Sequence, residues 1–186
     1  MSEILAKGAN FTGLLKALEA LHGTDACERA FSALPQSIAD PLRFGQVVAV
    51  GWYPVAWYSA LHAAVDDCFH EGPMLARKLG RQATRADIGT THRFFANMLS
   101  VETVFGQTHR LMALYWKGGE IERLDIVRGR ARLRFEGWHG FTSLIWEDLM
   151  GGMEAVLEIC GAKNGRAKAN GSTEDADTLE IEARWT

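Results

Sequence analysis

The side chains able to do chemistry are few. There are six histidines, His22, His62, His70, His92, His109 and His139, and three cysteines, Cys27, Cys68 and Cys160. Metal ligands must converge on one point, which on a helix means i, i+3 or i+4 spacing. His62 and His70 lie two helical turns apart with Asp66 between them, so a His-Asp-His ladder is the nearest approach. A solvated face ending at His70-Glu71-Gly72 accounts for the same residues, and no metal is expected. Asp66 and Asp67 are neighbours and point about 100° apart on a helix, so they are not a carboxylate pair for acid–base work. Glu147 and Asp148 are also neighbours, suited to the positive end of a helix dipole. Cys68 near His62 or His70 has the residue types of a nucleophile and its base, but also those of a small hydrophobe on an apolar face, which is preferred. The sequence contains no nucleophile elbow, phosphate loop or dinucleotide fingerprint. No catalytic set can be assembled, and a non-enzyme is expected.

Other residues point to contacts. Arg130, Arg132 and Arg134 alternate along one strand and can grip an anion, or pair across a sheet with Glu122, Glu180 and Glu182; the pairing is preferred. Gly151-Gly152 interrupts a helical pattern, where each glycine costs about 1 kcal/mol relative to alanine. A strand, a subunit or a ligand is expected to approach that backbone closely. Trp116, Trp138 and Trp146 gather around a hairpin and Trp185 sits on the last strand. Such rings fill cores and line pockets alike.

The elements that must position these residues follow from periodicity. Phe11, Leu14, Leu15, Leu18 and Leu21 recur at helical spacing and stop at Gly23. Thr24 and Asp25 suit the cap of a second helix ending at Pro35. Residues 44–53 are ambiguous. Pro54 opens a helix bearing Val55, Tyr58, Leu61, Val65, Cys68 and Phe69. Pro73 opens another, with Met74, Leu75 and Leu79 inward and Arg77, Lys78, Arg81 and Arg85 outward. Val101, Val104, Phe105, Thr108, Leu111, Met112 and Tyr115 predict one continuous helix. The period then drops to two. Ala131, Leu133 and Phe135 alternate with arginines, and Ile121 to Val127 pairs with them across an Arg128-Gly129 turn of the primed kind. Gly140 to Cys160 is a long helix capped by Thr142 or Ser143. Leu179, Ile181, Ala183 and Trp185 alternate again, and Gly165 to Asp177 reads as a loop or as part of a hairpin. The fold class is therefore α+β: an N-terminal helical layer packed on an antiparallel sheet of about four strands, with a long helix between the strand pairs. Residues 1–9 are expected to be a flexible N-terminus and 10–186 one domain.

Bulk numbers agree. The 186 residues are 47% hydrophobic and 23% charged with a net charge of −3. That composition supports a core and attracts no nucleic acid at long range. Three unpaired cysteines, the lack of a secretory signal and the lack of a membrane-spanning run place the chain in the cytoplasm as an expectation.

Gly51-Trp52-Tyr53-Pro54, Ala76-Arg77-Lys78-Leu79-Gly80-Arg81, Phe94-Phe95, Leu114-Tyr115-Trp116, Gly129-Arg130-Ala131-Arg132-Leu133 and the ending Leu179 to Trp185 carry a resemblance in their order. The sequence resembles a paralogous family of bacterial proteins, itself similar to the 4-vinyl-reductase-like small-molecule-binding domains. The wider fold group includes haem-based nitric-oxide sensors and subunits of vesicle-tethering particles in Golgi transport. The resemblance covers roughly residues 10–186. It implies a helical layer on an antiparallel sheet with a cavity between them, and it implies no activity. Small-molecule-sensing relatives carry metal-holding cysteines near the last hairpin, absent here from Gly171 to Thr178. Haem-binding relatives use a histidine, matched by His92, and a Tyr-x-Ser-x-Arg clamp. Here that clamp reads Tyr115-Trp116-Lys117-Gly118-Gly119, without Ser or Arg. No cofactor is expected, haem included.

The leading expectation is a small-molecule-sensing or regulatory binding domain for an apolar or aromatic molecule. Its walls would be Phe94, Phe95, Met98, Phe105, Leu111, Met112, Tyr115, Phe135, Trp146 and Met153. The alternative is a protein-interaction or dimerisation module in signalling or trafficking, and the third a haem sensor ligated by His92. A homodimer or a signalling-protein partner is expected.

Overall fold

A computed structural model describes residues 3–91, 100–174 and 176–186. The first half is helical: α1 (Gly8–His22), α2 (Ala26–Ala33), α3 (Gln36–Arg43), α4 (Val55–Phe69) and α5 (Pro73–Thr91). Gly23 ends α1 at φ 93°, donating its N–H to Glu19. The short α3, with Pro41 inside it, had no clear sequence signal. Next come α6 (Val101–Gly106) and α7 (Thr108–Met112), where one continuous helix is expected from periodicity. The chain breaks at Gln107 because the fourth-residue hydrogen bonding stops there; its N–H bonds to Val104 instead. Periodicity records which face is apolar, and two short helices in line preserve that face.

The strands form two antiparallel sheets. β1 (Leu5–Lys7) lies between β2 (Trp52–Pro54) and β3 (Trp116–Lys117). Within the stretch 1–9, Ile4 and Ala6 are buried and β1 is the central strand of its sheet. A three-residue strand carries too little alternation to be read from sequence. The larger sheet is the expected one, in order β4 (Glu120–Val127), β5 (Arg130–Glu136), β7 (Leu179–Arg184) and β6 (Arg166–Asn170). Leu133 pairs with Ile181 and Phe135 with Leu179, so one face is apolar and buried. On the other face Arg134 meets Glu122 and Glu180, Arg132 meets Glu180, and Arg130 meets Asp125, while Glu182 pairs with Arg184. The hairpin turn has positive φ at Gly129 (82°) and not at Arg128. That is the pattern of a type II turn rather than the primed turn expected.

The long helix α8 (Ser143–Ile159) separates the strand pairs and crosses α5. Glycine makes that crossing. A methyl on Gly151 would run into the carbonyl of Arg77, and one on Gly80 into the carbonyl of Asp148. The close approach expected at Gly151-Gly152 is therefore α5. Arg77, read as outward, instead lies between the helices. It donates to Glu147 at 2.6 Å, to Glu154 at 2.9 Å and to the Ala167 carbonyl at 2.9 Å, tying α5 to α8 and to β6. Met74, read as inward, is exposed. Among the described residues no helix is long and apolar enough to cross a membrane.

Candidate functional site

The space between helices and sheet is filled by rings at the described residues. Phe141 sits 4.8 Å from Trp116, 4.9 Å from Trp138 and 4.8 Å from Trp146, centroid to centroid. Trp146 also meets Phe135 at 5.5 Å. The indole N–H groups are satisfied, Trp138 on the Glu120 carbonyl at 3.0 Å and Trp146 on the Ala176 carbonyl at 3.3 Å. Rings closed on one another in this way form core.

The expected wall divides. Phe135 and Trp146 belong to the ring cluster and Met153 is buried on α8. Phe105 and Met112 are buried where α6 and α7 meet β4, and Phe105 stacks on Trp185 at 5.8 Å. Leu111 is 40% exposed. Burial raises the Tyr115 pKa, and its hydroxyl, donating to Asp87, raises it further. Phe94, Phe95 and Met98 lie outside the described residues, as does His92.

A second cluster was missed from sequence. Tyr58 and His62 on α4 and Asp148 on α8 are all buried. Tyr58 donates to Asp148 Oδ2 at 3.1 Å. His62 Nε2 lies 4.0 Å from the same oxygen and has no hydrogen-bond partner. The His62 and Tyr58 rings meet edge to face at 4.8 Å. Burial drives the His62 pKa down to about 3 and holds the imidazole neutral. Burial also raises Asp148 to about 7, against the opposing hydrogen bond from Tyr58. The Tyr58 phenol is raised by burial and by that carboxylate. The histidine ladder does not form: His62 turns to Asp148, while Asp66 accepts the Gly72 N–H at 2.7 Å. Among the described residues no group of three or more His, Cys, Asp or Glu is placed to hold a metal. Asp148 left no sequence signal of its own: Glu147 beside it lies in the same apolar stretch, Leu144 to Met153, and is only half-buried.

A hollow beside the cluster is lined by His62, Val65, Asp66, Leu75, Leu79 and Leu144, among others, and encloses no room for a water molecule.

No protein-family model matches the sequence, and no curated protein does. Solved structures match it end to end. An Fe(II) unliganded H-NOX protein from K. algicida shares 10% identity and a TM-score of 0.72 over 97% of this chain and 96% of its own. An oxygen-binding H-NOX domain related to soluble guanylate cyclases, in its oxygen complex, gives 11% identity and 0.67 over 97% and 95%. A structure concerned with haem redox potential and porphyrin distortion gives 12% and 0.67 over 97% and 95%. At these identities the likeness is one of fold. It agrees with the haem-sensor branch of the sequence resemblance and gives no support to the 4-vinyl-reductase-like or transport-particle branches. It also corrects the expectation that no cofactor, haem included, belongs with this architecture: the matching chains are described with iron, oxygen and haem.

At the clamp position the Tyr115 hydroxyl is engaged by Asp87, Trp116 is buried in the ring cluster and the Lys117 ammonium lies 4.4 Å over the Trp52 ring.

Proposed function

We propose that this chain is a non-catalytic sensory domain that binds a small molecule between its helical layer and its four-stranded sheet. The observation that carries the reading is the end-to-end likeness to H-NOX domains, with at least 95% of each chain covered in both the Fe(II) and the oxygen-bound examples. The proposed walls are Phe105, Met112, Tyr115 and Met153, joined by Phe94, Phe95, Met98 and Leu111. The ligand is apolar or aromatic, and haem is the member of that class which the fold neighbours put first. His92 is the residue to test as its iron ligand. We place the domain in the cytoplasm, handing its state to a second copy or to a signalling protein.

The full chain, expressed with a haem precursor, is examined by absorption and by titration with a fluorescent apolar probe. Saturable binding of one ligand per chain is the expected result. A Soret band removed by His92→Ala identifies that ligand as haem. Absence of both the band and probe binding refutes the reading.

A second reading, a protein-interaction module, draws on one observation. Phe44 and Val50, in the segment joining α3 to β2, are 67% and 77% exposed. A concentration-independent dimer that binds no small molecule would favour it.

A further inference from the structure

The Tyr58–His62–Asp148 cluster joins the two halves of the fold. Tyr58 and His62 stand one turn apart on α4, in the helical layer. Asp148 stands on α8, which spans the strand pairs. The contents of this site are unusual for a core. A carboxylate moved out of water needs several donors to remain ionised. Asp148 has one side-chain hydrogen bond, from Tyr58. Its other oxygen lies 2.7 Å from where a side chain on Gly80 would begin, against bare helix. Opposite stands His62 Nε2, with no partner of its own.

The surrounding charges are engaged elsewhere. On α4, Asp66 is held by the Gly72 N–H. On α5, Arg77 is paired with Glu147 and Glu154, Arg81 with Glu154 and Glu158, and Lys78 with Glu71. On α8, Glu147 is taken by Arg77. Among the described residues, His62 is the only basic side chain within 4.0 Å of the Asp148 carboxylate.

We propose that Asp148 and His62 share one proton, carried by Asp148 as the neutral acid and donated toward His62 Nε2, and that this proton is a switch clasping α4 to α8. With it, both groups are uncharged and a donor faces the orphan nitrogen across 4.0 Å. Without it, a bare carboxylate is left buried with Tyr58 alone, and the two helices are held less tightly. The Tyr58 hydroxyl and the His62 ring edge are the parts that respond, because both belong to α4.

The linkage has a distinctive form. Asp148 is raised from 3.8 to about 7, so its contribution to stability is full below 3.8 and is lost as pH rises toward 7. His62 is lowered from 6.5 to about 3, so its contribution is full above 6.5 and is lost as pH falls toward 3. Between those limits the folded cluster and the unfolded chain each hold about one proton, on different residues. The two dependences therefore cancel in the intact protein and separate in the single variants.

Denaturant unfolding of the full chain between pH 4 and pH 8 tests this. Relative to wild type, His62→Phe is expected to gain stability as pH falls from 7, and Asp148→Asn to lose it as pH falls from 6.5. Each shift in the folding ratio should exceed about tenfold. Infrared spectroscopy supplies a readout that needs no stable variant. Wild type at pH 6 should show the stretch of a protonated carboxyl group, fading by pH 8, and Tyr58→Phe should move that band. No protonated band at pH 6, or two variants that track wild type across the range, overturns the proposal.

Discussion

The crossing of α5 and α8 can be tested with one methyl group. At Gly151 the added carbon would lie 2.9 Å from the Arg77 carbonyl carbon and nearer still to its oxygen. Both atoms are backbone, so no rotamer change relieves the contact and α5 must move outward. Alanine in place of glycine favours a helix interior by about 1 kcal/mol. Overpacking a close contact costs about 1–3 kcal/mol. Moving α5 also stretches the Arg77 bonds to Glu154 and to the Ala167 carbonyl, both 2.9 Å. The net expectation for Gly151→Ala is a loss of about 2 kcal/mol. In a chain of this size that is a fall in Tm of roughly 4–8 °C. Gly152→Ala is the control. Its methyl would meet the Thr84 hydroxyl at 2.9 Å, the end of a side chain that can turn away. There the propensity gain prevails, and stability should be unchanged or slightly higher. Urea denaturation of both variants decides the matter. If Gly151→Ala is as stable as Gly152→Ala, the helices do not cross as described.

Three further expectations follow from the same contacts. Gly129→Val should cost about 1 kcal/mol or more, because φ is 82° there and the Trp185 carbonyl oxygen lies 3.2 Å from the added carbon; an unchanged melting temperature would count against the turn. Arg77→Ala should lose about 2–3 kcal/mol, since it withdraws the shorter ion pair of a nearly inaccessible Glu154. In a double-mutant cycle with Glu154→Ala, additive losses would show the pair is uncoupled. Met112→Trp should fold and weaken apolar-probe binding at least tenfold; unfolding of this variant, together with a full loss of roughly 2–5 kcal/mol in Met112→Ala, would mean Met112 is packed core and no ligand wall.

What could be read from the sequence was whatever a long period controls. The β5 and β7 alternations and the run of α8 are repeated signals, and the structure has them, as it has α4 starting just past Pro54 and α5 starting at Pro73. The close approach at Gly151 was legible because two glycines in a helix need a reason. Short elements were not legible: β1 and β2 have three residues each and β3 two, and their pairing depends on partners up to 112 residues away, as Leu5 with Lys117. The site was legible in composition but not in arrangement. Trp116, Trp138 and Trp146 do gather, but around Phe141, which periodicity had not singled out. Asp148 was read as a helix-end charge because Glu147 beside it is polar as well. Only the packing of α4 and α5 on α8 shows that one of the two is paired with Arg77 and the other buried beside His62. The cofactor expectation failed for a related reason. It rested on missing letters of a clamp motif, whereas fold likeness persists at 10–12% identity, where motifs have drifted.

The central claim is that a small molecule occupies this fold. Native mass spectrometry of the freshly purified full chain measures that directly. The expected result is a species heavier than the polypeptide by one small molecule, released on denaturation and identifiable by its mass, haem included. A bare polypeptide mass under native conditions, unchanged after incubation with haem and with apolar probes, would contradict it.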